Sequence, residues 1–198
     1  MEPGYFSSAL IDIHRDIRLI FIEPAQDPDA IIECTLVRMT LFDKAAPAYI
    51  AVSYVWGDSS VTEEIRINGA PLAVTTNLAA LLRLLRTGYG GDISFFKDSS
   101  KLFWVDAICI NQQDLIEKGS QVPLMKDIYW GAKYVISWLG PEAEGSTEAL
   151  SYLRTMAQEI AQLDEPTVWQ KIDRIWERPY WKRTWIFQEI VLGKHVLL

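Results

Sequence analysis

Three short apolar runs, each followed by loop-forming residues, constrain the fold of this chain more than any other feature. The first, at residues 49–54, is almost uninterrupted by polar side chains, which is typical of a central strand covered on both faces. Residues 101–110 and 133–139 predict two more strands. Because helical patterns lie between these runs, the sequence predicts an α/β fold whose sheet is mainly parallel, with helices on both faces.

The N-terminal third predicts an antiparallel β annex to this core. Residues 17–22 and 31–39 have strand patterns, and a loop separates them. The Asn68-Gly69 pair is a strong hairpin signal and stands between short strands at 64–67 and 71–74. The sequence therefore predicts that these four strands form an antiparallel annex outside the parallel core.

Helical patterns fill most of the remaining chain. They cover, in order, a leucine-rich segment from a cap at Thr76 or Asn77 to the glycines at 88–91, then residues 121–131, 145–163, 166–176 and 181–192. A polar loop is expected at 92–100. The predicted organisation is one domain with N-terminal strands at 1–48, an α/β core at 49–138, a helical insertion at 139–180, and a last helix with the start of a strand at 181–198. Because the chain stops on apolar residues, it is expected to be a fragment of a longer protein.

Composition and missing motifs argue against several functional classes. Lysine and arginine number 19 against 26 acidic residues, a net charge of −7, so we expect no nucleic-acid partner. Two cysteines in apolar runs and two distant histidines predict no metal site and no disulfide framework. No stretch approaches the roughly 18 apolar residues of a membrane span. The sequence also lacks the glycine-rich phosphate loops and the G-x-S-x-G elbow of hydrolases.

Polar side chains stand beside aromatic ones at the predicted strand ends and on the last helix. The candidate site residues are Ser53, Tyr54, Trp56, Asp58, Asp106, Asn111, Arg183, Trp185 and Glu189. In parallel sheets the ligand crevice lies beyond the carboxyl ends of the strands, where residues 56–58 and 111–113 are expected. Trp185 and Glu189 are four residues apart and share one face of the predicted helix. A carboxylate beside an aromatic ring is suited to stabilising an oxocarbenium-like centre or to holding a ribose hydroxyl.

Each candidate also has a structural interpretation. A Trp–Glu pair at this spacing is more commonly a core-facing ring beside a salt-bridged carboxylate. Asp106 lies in an apolar run and is as suited to pairing with Arg183 as to contacting a ligand. The Asn111 side chain is as suited to bonding loop backbone as to binding anything else. Cys109 has no histidine nearby in sequence to activate it, so it is predicted to be a small core residue.

Three segments together resemble the signature blocks of a known family. They are AVSYVWGD at residues 51–58, FWVDAICINQ at 103–112 and RTWIFQE at 183–189. In order and approximate spacing they resemble the heterokaryon incompatibility (HET) domain of fungi, and the resemblance extends from Tyr49 to the end of the chain. It implies a cytoplasmic, usually multidomain fungal protein that triggers cell death when incompatible strains fuse.

A more distant resemblance, to Toll/interleukin receptor (TIR) domains, carries an implication about chemistry. Residues 52–54 resemble the first TIR strand, 118–122 resemble a loop and 134–137 a later strand. Trp185 and Glu189 resemble the TIR stretch whose glutamate is catalytic in members that cleave NAD. This resemblance implies a flavodoxin-like sheet, Glu189 as the catalytic residue, and NAD(P) as a substrate that is cleaved without a cofactor. The other eight candidates are then expected to bind the nucleotide, with Arg183 on a phosphate, and self-association is expected to activate the domain.

A second hypothesis needs no catalysis. The three signature blocks then form a core in which Asp106 and Arg183 are a structural ion pair, and the domain signals cell death by self-association. Nucleic-acid cleavage or binding is a third class of function, which the net charge of −7 and the missing basic stripe disfavour.

Overall fold

One mixed β-sheet forms the centre of the fold in the computed structural model, which describes residue 10 and residues 12–88, 101–158 and 166–197. Among these residues the sheet has eight strands, in the order β5-β4-β2-β1-β6-β3-β7-β8. The strands are β1 (Asp16–Ile22), β2 (Glu33–Thr40), β3 (Ile50–Tyr54), β4 (Thr62–Ile67), β5 (Ala70–Thr75), β6 (Leu102–Trp104), β7 (Tyr134–Trp138) and β8 (Val196–Leu197).

Four of the seven strand pairings that the described residues form in this sheet are parallel. Strands β6, β3, β7 and β8 run in the same direction, and all five residues of β3 are buried, as expected for a central strand. Strand β1 is antiparallel to both β2 and β6, and β4 and β5 form the predicted hairpin. The predicted α/β class with a mainly parallel sheet is therefore confirmed. The annex that was predicted to be antiparallel is the other half of the same sheet, and its strands β2 and β4 are parallel to each other.

Six α-helices and one 3-10 helix accompany the sheet in the described part of the chain. They are α1 (Thr76–Arg86), α2 (Asp106–Cys109), α3 (Leu115–Gly131), α4 (Ser146–Gln158), α5 (Pro166–Glu177), α6 (Ile186–Val191) and the 3-10 helix Pro179–Lys182. Helices α4 and α5 pack on each other around Ala149, Ile172 and Ile175, which form a small second core. The polar loop predicted at 92–100 and the helix end predicted near 163 lie outside the described residues.

The cap of α1 differs from the prediction by one residue. The Thr75 hydroxyl, not that of Thr76 or the Asn77 amide, accepts the hydrogen bond from the backbone N–H of Leu78, at 3.2 Å. Asn77 instead donates to the carbonyl of Val55, just beyond β3. Helix α1 thereby holds the segment after β3 in place.

The strand predicted at residues 101–110 is wrong in its second half. Strand β6 ends at Trp104, and the chain turns at once into the short helix α2. The Cys109 N–H donates to the Val105 carbonyl at 2.8 Å, which closes the helical turn. Because the strand and the helix are both buried, the run is apolar throughout and its sequence does not reveal where one ends and the other begins.

Two predicted helices have different limits in the structure. Helix α3 begins six residues before the predicted start, because the Asp114 side chain accepts hydrogen bonds from the N–H groups of Ile116 and Glu117. The helix predicted at 181–192 is divided into the 3-10 helix and the short α6, with Arg183 in an extended conformation between them. Arg183 and Trp185 therefore precede α6 and do not lie on it.

Two glycines with open space around them provide a matched test of backbone conformation. Gly69 has a φ of +80° in the hairpin turn, whereas Gly119 is helical, and a Cβ at either position meets nothing within 4 Å. We expect Gly69→Ala to lower the free energy of unfolding by about 1–2 kcal/mol, because left-handed backbone strains an L-residue. Gly119→Ala is expected to raise it by about 0.5–1 kcal/mol. Urea unfolding measures both, and changes of the same sign would contradict the turn geometry.

Candidate functional site

A cavity of about 490 Å³ lies beyond the carboxyl ends of β3 and β6. Its walls come from the residues after β3, from α2 and α3, and from the segment that leads into α6. The predicted site residues on its wall are Trp56, Asp106, Arg183, Trp185 and Glu189. Five of the nine candidates, from three separate parts of the sequence, therefore meet around one space at the expected edge of the sheet.

A buried hydrogen-bond network holds the Glu189 carboxylate at one side of this cavity. Arg183 donates from Nη1 to Oε2 at 2.8 Å and from Nη2 to Oε1 at 2.9 Å, which is a bidentate ion pair. The Ser53 hydroxyl, on β3, donates to the same Oε2. Because the Ser53 proton is used there, the Tyr180 hydroxyl donates to Ser53 Oγ, at 2.6 Å. Glu189 is 0% exposed and fixed in one orientation.

The ionisation of this network follows from its contacts. Burial lowers the pKa of the Arg183 guanidinium, but the charge and hydrogen bonds of Glu189 outweigh burial and raise this pKa above its usual range. Burial raises the pKa of the Tyr180 phenol. Arg183 is therefore a cation and Tyr180 a neutral hydrogen-bond donor at neutral pH.

A second carboxylate, Asp106, faces the cavity from the first turn of α2. Its Oδ2 accepts a hydrogen bond from the Trp56 indole at 2.9 Å, and its Oδ1 accepts one from the Ala107 N–H at 2.7 Å. Burial raises the pKa of Asp106 to about 6, although both hydrogen bonds oppose this change. The hypothesised structural ion pair between Asp106 and Arg183 is wrong, because the bidentate partner of Arg183 is Glu189.

Two exposed indole rings border the cavity. Trp56 is 43% exposed and Trp185 is 47% exposed, which is unusual for rings of this size. The carbonyl of Trp185 accepts the hydrogen bond of the Glu189 N–H at 3.2 Å, so this tryptophan stands at the start of α6. The two residues border one cavity, but the ring is open to solvent and the carboxylate is buried.

The remaining candidates have different places. Ser53 and Tyr54 are buried in β3, and burial raises the pKa of the Tyr54 phenol well above its usual range. Asp58 is exposed and accepts hydrogen bonds from the Ser60 N–H and hydroxyl, which lower its pKa. Asn111 is buried, and its side chain accepts from the Gln113 N–H at 3.1 Å. Asp58 and Asn111 do not line the cavity, and their roles as ligand contacts stay predictions.

Comparison with known proteins gives the chain its family. The family model described as "Heterokaryon incompatibility protein (HET)" matches residues 49–189, which includes every wall of the cavity. The chain belongs to the HET family. The HET match ends at Glu189, and strands β1 and β2 lie before its start.

One curated relative of this HET domain is "Heterokaryon incompatibility protein 6, OR allele" of Neurospora crassa. The two are 36% identical over 185 residues, which is 87% of this chain and 26% of the relative. The chain therefore spans about a quarter of the length of the curated relative that it matches. No solved structure matches this HET domain.

Sequence reasoning missed three residues of the HET domain that contact or line the site. Tyr180 follows the helix break at Pro179, and no sequence pattern indicated that its hydroxyl forms a hydrogen bond with Ser53. Lys118 and Lys182 line the cavity, but neither belongs to the pattern of polar residues beside aromatic ones at strand ends that predicted the site. Lys182 immediately precedes Arg183, and this adjacency was the available signal.

The described residues of the HET domain contain neither a metal site nor, at Cys109, a reactive thiol. No group of three or more histidine, cysteine or carboxylate side chains is placed to hold a metal ion there. Burial raises the pKa of Cys109 to about 12, so this thiol is not ionised at neutral pH. None of the helices in these residues is both long enough and apolar enough to span a bilayer.

The Asp106→Asn variant is expected to gain stability relative to the wild type as pH rises. The folded pKa of about 6 lies above the ordinary 3.8, so the stabilisation from protonated Asp106 is complete below pH 3.8 and lost as pH rises through 6. The neutral amide avoids this loss, so we expect the stability of the variant relative to the wild type to rise by about 2 kcal/mol from pH 4.5 to pH 7.5. Because the amide nitrogen cannot accept a hydrogen bond, either the Trp56 indole or the Ala107 N–H loses its acceptor at every pH.

Urea unfolding at the two pH values measures this difference. Asp58→Asn is the matched control, because hydrogen bonds from Ser60 lower the pKa of that carboxyl. This control is expected to lose stability at pH 7.5 and to approach the wild type at low pH. A difference in unfolding free energy between Asp106→Asn and the wild type that is equal at both pH values would contradict the role of burial at Asp106.

Proposed function

We propose that this HET domain is the effector part of a fungal heterokaryon incompatibility protein, and that it triggers cell death in the cytoplasm by hydrolysing NAD(P) at the nicotinamide–ribose bond. The family and the printed name of the Neurospora crassa relative support the incompatibility role. The convergence of Glu189, Arg183 and the two exposed indoles on one cavity is the observation that carries the catalytic proposal.

The shape and lining of the cavity suit a nucleotide. Its volume of about 490 Å³ is within the range of small-molecule sites. The exposed faces of Trp56 and Trp185 can stack on a planar base or on nicotinamide. Arg183 supplies a planar guanidinium, whose two N–H edges match the geometry of a phosphate.

The reaction needs a negative charge beside the sugar. When the bond between ribose C1′ and the nicotinamide nitrogen breaks, nicotinamide leaves as a neutral molecule with both electrons of that bond. The ribose ring is left with an oxocarbenium-like positive charge, which the Glu189 carboxylate stabilises while it holds a ribose hydroxyl. Water then adds to C1′ and releases a proton, so that the products are nicotinamide and the ADP-ribose moiety.

Arg183 controls access to the carboxylate in this proposal. In the structure Arg183 donates one N–H from each terminal nitrogen to Glu189, whose side chain is 1% exposed. A substrate phosphate competes for the same guanidinium. Binding of the phosphate turns Arg183 toward the ligand and frees Glu189 to meet the ribose.

The test is the fate of NAD and NADP incubated with concentrated protein, followed by chromatography. Release of nicotinamide together with ADP-ribose or its 2′-phosphate is the expected result. Intact dinucleotides in the presence of folded protein, with and without assembly at high concentration, would remove the support for the enzyme.

One observation favours the second hypothesis, a non-enzymatic module that signals by self-association. A fully buried carboxylate in a bidentate ion pair with arginine is also what a structural pair looks like, and Glu189 has both properties. Light scattering as a function of concentration tests this alternative. Reversible assembly by a protein that leaves NAD and NADP intact would favour the module over the enzyme.

A further inference from the structure

Two lysines without a role in the proposed reaction line the same cavity as Glu189. Lys118 lies in the first turns of α3, and Lys182 is the last residue of the 3-10 helix. Arg183, next to Lys182, lines the cavity as well. Cationic side chains from two distant parts of the sequence therefore converge on one space.

The lysines differ from Arg183 in their partners. Arg183 donates from both terminal nitrogens to Glu189. Within the described ranges, no carboxylate forms an ion pair with Lys118 or Lys182. The other acidic side chain of the cavity, Asp106, accepts from Trp56 and from a backbone N–H. The two ammonium groups are thus available to an anion from solution.

The charge of the cavity is opposite to that of the chain. The chain has a net charge of −7, so its average surface repels anions. The cavity wall has three cations, Lys118, Lys182 and Arg183, against the two carboxylates Asp106 and Glu189. Arg183 and Glu189 form an ion pair and neutralise each other, so the two lysines face one remaining carboxylate and the wall has a net charge of +1. A small anion is therefore directed into this cavity.

We propose that Lys118 and Lys182 form a diphosphate-binding subsite. The cavity then selects nucleotides that carry a diphosphate over free nucleosides, with the indoles of Trp56 and Trp185 beside the rings. The choice of a nucleotide rests on the proposed function, but the subsite requires only binding and no turnover.

Isothermal titration calorimetry with ADP-ribose, ADP, pyrophosphate and adenosine tests the subsite. ADP-ribose and ADP are expected to bind at least tenfold more tightly than adenosine, and their binding is expected to weaken as salt is raised. Lys118→Ala and Lys182→Ala are each expected to weaken ADP-ribose binding about tenfold, because each removes a charge-assisted contact. Lys182→Arg is expected to retain most of the affinity.

The matched control is Lys194→Ala, because Lys194 lies over the Trp130 ring, 5.7 Å from its centroid, and does not line the cavity. It is expected to bind ADP-ribose as the wild type does. Adenosine binding as tight as ADP-ribose binding, or wild-type affinity in both folded lysine-to-alanine variants, would overturn the subsite. Pyrophosphate that binds as tightly as ADP-ribose would overturn the selection of nucleotides.

The same samples separate this inference from the proposed hydrolysis. Lysine-dependent binding of ADP-ribose by a protein that leaves NAD intact supports the subsite and removes the enzyme. Cleavage of NAD by both lysine variants with an unchanged KM supports the enzyme and overturns the subsite.

Discussion

The Glu189→Gln variant is expected to release nicotinamide from NAD about 10²–10³-fold more slowly than the wild type. The neutral amide cannot stabilise the positive charge that develops on the ribose, although it has nearly the same shape. The change also leaves the Arg183 cation without its partner, so some stability is lost as well. Nicotinamide release is therefore measured by chromatography and normalised to the folded fraction from circular dichroism.

The chain supplies a matched control for this loss. Arg18 and Glu117 form another buried bidentate ion pair, which does not line the cavity. Glu117→Gln is therefore expected to release nicotinamide at a rate similar to the wild type per folded molecule. If Glu189→Gln fails to fold, Glu189→Asp replaces it in the test. Its side chain is one methylene shorter, so the carboxylate is kept but lies farther from the ribose, and slow release of nicotinamide is again expected. Wild-type rates in folded Glu189 variants would refute catalysis by this carboxylate.

The largest loss of stability is expected for Glu117→Gln, at about 3–5 kcal/mol of unfolding free energy. Arg18 Nη1 and Nη2 donate to Glu117 at 2.6 and 2.9 Å, and Glu117 Oε1 also accepts from the Asn111 N–H at 2.7 Å. Both side chains are more than nine-tenths buried. Without the carboxylate, the Arg18 cation keeps its hydrogen bond to the Cys109 carbonyl but loses the Glu117 charge that offsets its desolvation in the core.

Urea unfolding measures this loss, and a double variant tests its cause. Arg18→Met combined with Glu117→Leu removes both charges and fills a similar volume, so it is expected to be more stable than Glu117→Gln alone. The Asn111 N–H then lacks its acceptor, and we expect the double variant to remain about 1–3 kcal/mol below the wild type. A double variant less stable than Glu117→Gln would contradict an uncompensated charge as the cause.

The sheet was predictable where burial is the same on both faces of a strand or alternates regularly. The run at 49–54 has no polar face, and this property placed β3 at the centre. The Asn68-Gly69 hairpin was predictable because both residues adopt positive φ, which other residue types avoid. The boundary between β6 and α2 was not predictable, because a buried strand and a buried helical turn need the same apolar residues.

The cavity was partly predictable for a different reason. The carboxyl ends of parallel strands meet at one edge of a sheet, so Trp56 and Asp106 were expected to be neighbours, and the structure has them hydrogen-bonded. The partner of Arg183 was not predictable, because the contact requires Arg183 itself to be extended and not helical. A continuous helix places Arg183 and Glu189 six positions apart, on different faces, whereas the extended conformation of Arg183 brings them into contact.

The pairing of Ser53 with Glu189 has a consequence for the time at which the domain acquires its site. These residues are 136 positions apart, and the Tyr180 hydroxyl that completes the network is 127 positions from Ser53. The ribosome makes strands β1 to β7 before the segment that holds Glu189, so the nascent chain has one wall of the cavity without the other. The proposed hydrolysis of NAD(P) therefore cannot begin during synthesis until the segment that holds Glu189 has emerged.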